Sequence, residues 1–195
     1  MNIPAHFCFS IFSVVIYFGS IPAIIAGTTL PDSLKNRLIA AGNEKRAALL
    51  FTLGEYYAGK DSPDSAFVYF YKASVAGGES GDSLTWAKAM NSIGTIHFKW
   101  GNYLRAAEFY KQSLDYKRYA GNKQMIANSL INLGNVYFIQ DSYKEALDYY
   151  NEAFALFRET GDVYGASGCL NNIAKILENT GNPDDAIEHY KEILT

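Results

Sequence analysis

A small residue returns every forty positions along most of this chain: Gly54, Gly94, Gly134 and Ala174. Twelve residues after each stands an alanine, at Ala66, Ala106, Ala146 and Ala186. A fixed period of this length marks a repeat array, in which each unit is one supersecondary element that buries its apolar flank only against its neighbours. The punctuation keeps the same beat. Gly81-Asp82, Gly121-Asn122 and Gly161-Asp162 each read as a helix stop followed by a new N-cap. Ser62, Asn102, Ser142 and Asn182 open a second helix in each unit, with Pro63 and Pro183 at the first helical position. Ser142 and Glu145 have the spacing of a capping box.

Each unit therefore reads as helix A, a short turn and helix B. The predicted pairs are 43–59 with 62–77, 82–99 with 102–119, 122–139 with 142–159, and 162–179 with 182–195. Apolar residues follow the helical period on both: Leu130, Leu133, Val136 and Tyr137 on one A helix, and Ala146, Tyr149, Tyr150, Ala153 and Phe157 on the B helix after it. The small residues let the two helices approach, so that a ring such as Tyr150 can fill the space beside Gly134. Residues 32–41 read as a short extra helix, capped by Asp32 or Ser33, whose Leu34 and Leu38 cover the first unit.

At these residues the chain resembles the tetratricopeptide repeat family, in its longer variant of about 40 residues per unit. The third unit carries the family pattern most cleanly, with Leu130, Leu133-Gly134, Tyr137, Ala146, Tyr150 and Ala153. The first has Leu50, Leu53-Gly54, Tyr57, Ala66, Phe70 and Ala73; the second, Met90, Ile93-Gly94, His97, Ala106, Tyr110 and Ser113; the fourth, Leu170, Ile173-Ala174, Leu177, Ala186, Tyr190 and Ile193. The family's tryptophan is missing from every unit, and Gly78, Arg118 and Arg158 replace its closing proline. The resemblance implies an all-α, right-handed α-solenoid of four helix-turn-helix units over 43–81, 82–121, 122–161 and 162–195, the last incomplete, with a short N-terminal helix.

Helix A residues left over from packing fall in rows. Thr52, Ser92, Asn132 and Asn172 form one, Phe51, Asn91, Ile131 and Asn171 a second, and Glu55, Thr95, Asn135 and Lys175 a third, one turn on. Asparagine is a poor helix former, so five at corresponding helical places call for a reason. A side-chain amide both donates and accepts, and a ladder of amides can pair with the backbone of an extended peptide whatever its sequence. The resemblance implies the same role for Asn91, Asn132, Asn135, Asn171, Asn172 and Lys175. The competing explanation is that these amides bond between neighbouring repeats or merely face water.

Met1 to Pro31 contains no Asp, Glu, Lys or Arg, and Phe7 to Gly27 is almost wholly apolar. This leader, 1–27, is expected to be either a cleaved secretory signal or an uncleaved membrane anchor, placing the remainder outside the cytoplasm, periplasmic or anchored facing the periplasm. Two cysteines, Cys8 and Cys169, make no disulfide framework, and Cys169 reads as a small buried hydrophobe. A formal net charge of −3 gives no basic field for nucleic acid, and 49% hydrophobic residues exclude a disordered chain.

Nothing in the sequence pairs a nucleophile with a base. GxGxxG, P-loop, GxSxG and HExxH patterns are absent, and His6, His97 and His189 make no zinc set. Gly77-Gly78-Glu79-Ser80-Gly81 reads as a connector, and His97, Trp86 and Trp100 as packing residues. The expected function is a non-catalytic scaffold, without cofactor, that holds a protein or peptide segment on its concave face. A second expectation is the sensory input region of a membrane-bound histidine kinase or transcription regulator, which exported repeats of this kind resemble. The last unit, without a polar closing helix, would leave an apolar end face available for self-association.

Overall fold

The computed structural model describes residues 37–39 and 41–182. The readings made on the leader 1–27, on most of the short helix 32–41 and on the fourth helix B (Pro183, Ala186, Tyr190 and His189 included) lie outside the described residues. Seven helices run through the described part: α1 (Asn43–Ala58), α2 (Pro63–Ser80), α3 (Ser83–Lys99), α4 (Tyr103–Ala120), α5 (Lys123–Ile139), α6 (Tyr143–Thr160) and α7 (Val163–Asn179). Among the described residues there is no strand, and no helix is long and apolar enough to cross a membrane. Residues 37–39 are helical, and Leu38 packs against Leu50, Ala73 and Ala89. Two compact units divide the chain between Ala89 and Met90.

A left-handed residue ends each helix. Gly81, Gly101, Gly121, Gly161 and Gly181 have φ between 70° and 83°, and Asp61 and Asp141 fill the same role at 52° and 56°. The backbone closes the turn after each A helix by itself. After α5, the Asp141 N–H donates to the Phe138 carbonyl at 3.1 Å and the Ser142 N–H to the Tyr137 carbonyl at 2.9 Å, the paired bonds of a Schellman ending. The same pairs close the turns after α1, α3 and α7.

This self-closure corrects the capping expected for the B helices. Ser62, Asn102 and Ser142 stand at the N-caps but make no side-chain cap bond, and Ser142 with Glu145 is not a capping box. The Schellman turn already fixes these residues near ψ 63–76°, short of the extended backbone a capping hydroxyl favours. Side-chain caps occur at the A helices instead. Asp82, Asn122 and Asp162 accept from the N–H of Thr85, Met125 and Gly165 at 2.9–3.0 Å.

Packing follows the small-residue slots. A Cβ on Gly134 would lie 2.5 Å from the Tyr150 ring, and one on Gly54 2.4 Å from Phe70. Those glycines are therefore required by close approach, and Ala66, Ala106 and Ala146 are wholly buried opposite them. In the compact unit that begins at Met90, Leu130, Leu133, Val136, Ala153 and Phe157 form one core with Cys169. The segment 77–80, expected as a connector, continues α2. Gly77 is there because a Cβ would meet the Asp82 carbonyl at 3.0 Å and the Trp86 nitrogen at 3.1 Å, so α3 starts hard against α2.

Candidate functional site

The compact unit that begins at Met90 brings five of the six candidate residues into two adjoining arrangements, along the A helices α3, α5 and α7. The first is a polar knot. Asn132 Nδ2 on α5 donates to Asn91 Oδ1 on α3 at 3.2 Å. The Ser129 hydroxyl, one turn before Asn132, donates to the same oxygen at 3.3 Å. Beneath them lies Lys117 of α4, only 4% exposed, whose Nζ donates to Ser129 Oγ at 2.6 Å and to Asn91 Oδ1 at 3.4 Å. Three donors thus converge on one carbonyl oxygen. Among the described residues no carboxylate lies within ion-pair distance of Lys117. Burial holds its ammonium down from 10.5 to about 8, because a buried cation with neutral partners keeps little of its hydration energy.

The second arrangement is a cavity of about 230 Å³. Its apolar walls are Phe98 of α3 and Phe138 and Ile139 of α5; Asn135, Tyr150, Asn172 and Lys175 complete it. The walls are pinned from behind. Phe98 meets Tyr103 edge-on at 5.4 Å, and Phe138 packs on Tyr143 at 5.9 Å. Tyr150, buried beside Gly134, donates its hydroxyl to Asn135 Oδ1 at 2.7 Å. Burial raises the Tyr150 phenol above its ordinary range, so it stays a donor at any physiological pH.

The amide row thus performs two tasks at once. Asn91, Asn132 and Asn135 each commit one atom to an intramolecular bond, between repeats for the first pair and within a repeat for the third. All three remain half-buried rather than sealed. Asn171 and Asn172 are also half-buried and make no hydrogen bond with a described residue, and Lys175 is exposed. An asparagine has two donor hydrogens and two acceptor lone pairs, so each amide keeps capacity toward a ligand.

Lys117 and Ser129 were not among the sequence candidates. The signal was there: in the forty-residue register Lys117 shares its column with Gly77 and Phe157, both buried. A lysine in a core column is out of place. His97, expected in packing, lies 5.3 Å from Phe109 in a parallel stack and meets Trp100 edge-on. Cys169 is wholly buried. Among the described residues no group of His, Cys, Asp or Glu could hold a metal ion.

Known proteins place the fold. The chain superposes on the crystal structure of BtubC (BKLC) from P. vanneervenii with a TM-score of 0.76 and 18% identity, over 83% of this chain and 70% of that one. MamA is similar with a TM-score of 0.60 and 20% identity, over 84% of both chains. Aspartyl phosphate phosphatase F from Bacillus subtilis gives 0.77 and 17%, over 83% of this chain, which spans only 43% of that protein. Identities this low speak for the all-α repeat fold and leave the ligand open. No curated protein matches the sequence. Two family descriptions, each headed "Tetratricopeptide repeat", match residues 87–119 and 125–195, more than half of the chain. With its paired helices, small-residue slots and forty-residue period, the chain belongs to the tetratricopeptide repeat family, whose members are protein-binding scaffolds.

Proposed function

We propose that the compact unit beginning at Met90 holds an extended segment of a partner protein along α3, α5 and α7, with no chemical step. The observation that carries this is the row of half-buried amides. Five asparagines sit on the A helices where packing does not require them, and each keeps donors or acceptors unspent. A peptide backbone presents the complementary set at every residue. Asn171, Asn172 and Lys175 are the least committed contacts, and Asn91, Asn132 and Asn135 are contacts that their internal bonds also orient. We further propose that this binding takes place outside the cytoplasm, a reading supported by the 31 uncharged residues at the start of the chain.

The internal bonds decide which variants test the ladder cleanly. Asn135→Ala would strand the buried Tyr150 hydroxyl, at about 1–3 kcal/mol, and would confuse folding with binding. Asn171→Ala with Asn172→Ala breaks no bond to a described residue. Against an array of immobilised peptides of unrelated sequence, the natural chain is expected to retain a subset, and the double variant to release it with an unchanged far-UV circular dichroism spectrum. Equal retention by both proteins would remove the ladder from the account. N-terminal sequencing of the protein recovered from cells tests the location: a start near residue 28 supports export, and an intact Met1 in a cytoplasmic fraction refutes it.

A further inference from the structure

The knot beneath the amide row holds more donors than acceptors. Lys117 Nζ, Ser129 Oγ and Asn132 Nδ2 all point at Asn91 Oδ1, at 3.4, 3.3 and 3.2 Å. A carbonyl oxygen has two lone pairs, and each of these three bonds is longer than the commonest lengths of about 2.7–3.0 Å. The ammonium itself has three hydrogens. Ser129 Oγ takes one at 2.6 Å, Asn91 takes a second at long range, and no described residue accepts the third. Groups this deeply buried ordinarily find their partners, so the shortage asks what would relieve it.

We propose that Lys117 is a site of reversible carbamate formation, its side-chain amine taking carbon dioxide as a covalent ligand. The inference is independent of the peptide-binding reading, since it concerns the floor of the knot and not the amides that face outward.

The step balances without an oxidant or a cofactor. The lone pair of the neutral amine forms a bond to the carbon of CO₂, and one C=O electron pair moves onto oxygen. The nitrogen then releases one proton to bicarbonate in the solvent, leaving –NH–COO⁻. The product reverses the shortage. It keeps a single N–H, for which Ser129 Oγ or Asn91 Oδ1 suffices, and it adds two anionic oxygens that accept only. The Ser129 hydroxyl and the amide hydrogens of Asn132 and Asn91 are the donors at hand, and bonds to an ionised acceptor are the stronger kind.

The surroundings also favour the reacting form of the amine. Lys117 is 4% exposed and Ser129 wholly buried. Its partners on α3 and α5 are neutral, and burial alone, with no charged neighbour contributing, lowers the ammonium to about 8. At pH 7.5 about a quarter of such a side chain is neutral, against about 0.1% of an ordinary lysine. Carbon dioxide is small and uncharged, so it enters a site that a hydrated ion would reach only at the cost of its water. Asn91 and Asn132, the two residues above the knot, are half-buried rather than sealed.

The test uses the whole chain with ¹³C-labelled bicarbonate at pH 7.5. A ¹³C resonance distinct from bicarbonate and dissolved CO₂ is expected, and it should vanish in Lys117→Met. Ethylation with triethyloxonium, which traps carbamates, followed by peptide mass spectrometry locates the group in the natural chain, so the assignment does not depend on how the variant folds. Lys117 should carry at least about ten-fold more adduct than the exposed Lys99 and Lys144, a margin well inside the difference in neutral amine. Unfolding in guanidinium before trapping should discard it. The Asn91 and Asn132 side-chain amides should shift with bicarbonate and stay in place with acetate at the same concentration.

Absence of the resonance and of the Lys117 adduct overturns the proposal. So does equal labelling of Lys117 and the exposed lysines, or a resonance that survives in Lys117→Met. Amide shifts that acetate reproduces, with no adduct on Lys117, would show that the knot takes a free anion, and the covalent step would fall.

Discussion

Replacing Lys117 by methionine should stabilise the protein at neutral pH, and the gain should fade as the solution becomes alkaline. In the folded chain Lys117 is 4% exposed and its ammonium loses its proton at about 8 rather than 10.5. A displacement of that size corresponds to about 3 kcal/mol of free energy at ~1.4 kcal/mol per pH unit. The sign follows from proton counting. Between pH 8 and 10.5 the unfolded chain keeps a proton on this lysine that the folded chain has released, so folding becomes more favourable as pH rises through that window. Below about pH 8 the whole penalty is present. Methionine is unbranched like lysine, one atom shorter, and carries no charge. It leaves the Ser129–Asn91 and Asn132–Asn91 bonds intact, and sacrifices the long bond from Nζ to Asn91 at 3.4 Å and the short one to Ser129 at 2.6 Å, the latter worth about 1.5–3 kcal/mol as a charged bond. The net gain at pH 7 is therefore about 0–2 kcal/mol, and the change with pH is the sharper measure. Urea unfolding of both proteins at pH 7, 8, 9 and 10 gives the difference directly, because all other titrating groups cancel. The variant should lose about 2–3 kcal/mol of relative stability between pH 7 and 10. A difference that does not vary with pH would show that Lys117 is hydrated or paired in solution, and the reasoning would fail.

Three further outcomes follow from the packing. Gly134→Ala drives a methyl group to 2.5 Å from the Tyr150 ring and should cost about 1–3 kcal/mol in chemical denaturation; Gly168→Ala, in α7 with open space around it, should add about 0.5–1 kcal/mol from helix propensity. Asn122→Ala removes a cap bond to the Met125 N–H at 3.0 Å and should cost about 1 kcal/mol, whereas Ser142→Ala, at a helix start with no such bond, should cost much less. Cys169 is wholly buried, and burial pushes its thiol up to about 12; mass spectrometry after treatment with an alkylating reagent should find Cys169 unmodified until denaturant is added.

Much of the fold could be read from the sequence because each signal is local and repeated. Gly134 with Ala146, twelve residues apart, announces a close helix pair, and Tyr150 does fill the space between them. Turn chemistry was half legible. The glycines gave the left-handed positions, but Asp61 and Asp141 stand in equivalent ones, and the self-closing backbone bonds that make the Ser142 side chain unnecessary are invisible in composition. Gly77-Gly78 misled for a related reason: two glycines suggest a linker, while Gly77 is selected by the proximity of Trp86 in a helix that runs on to Ser80. In the site, the amides were legible as a row. Their internal commitments were not, because whether Asn91 faces a ligand or Ser129 and Lys117 depends on how far two repeats shift past each other. The cavity was out of reach as well, since its walls come from residues on four helices that no spacing brings together.

The left-handed residues at 61, 81, 101, 121, 141, 161 and 181 mean that chain length here is quantised. One added residue within a helix turns everything after it by about 100°, which would swing Gly134 away from Tyr150 and turn an apolar stripe outward. Only a block of forty restores both the rotation and the phase of the turns. Such proteins can grow or shrink by whole units, and a frame-preserving insertion of any other length inside a helix should be more damaging than the clean removal of an entire hairpin pair.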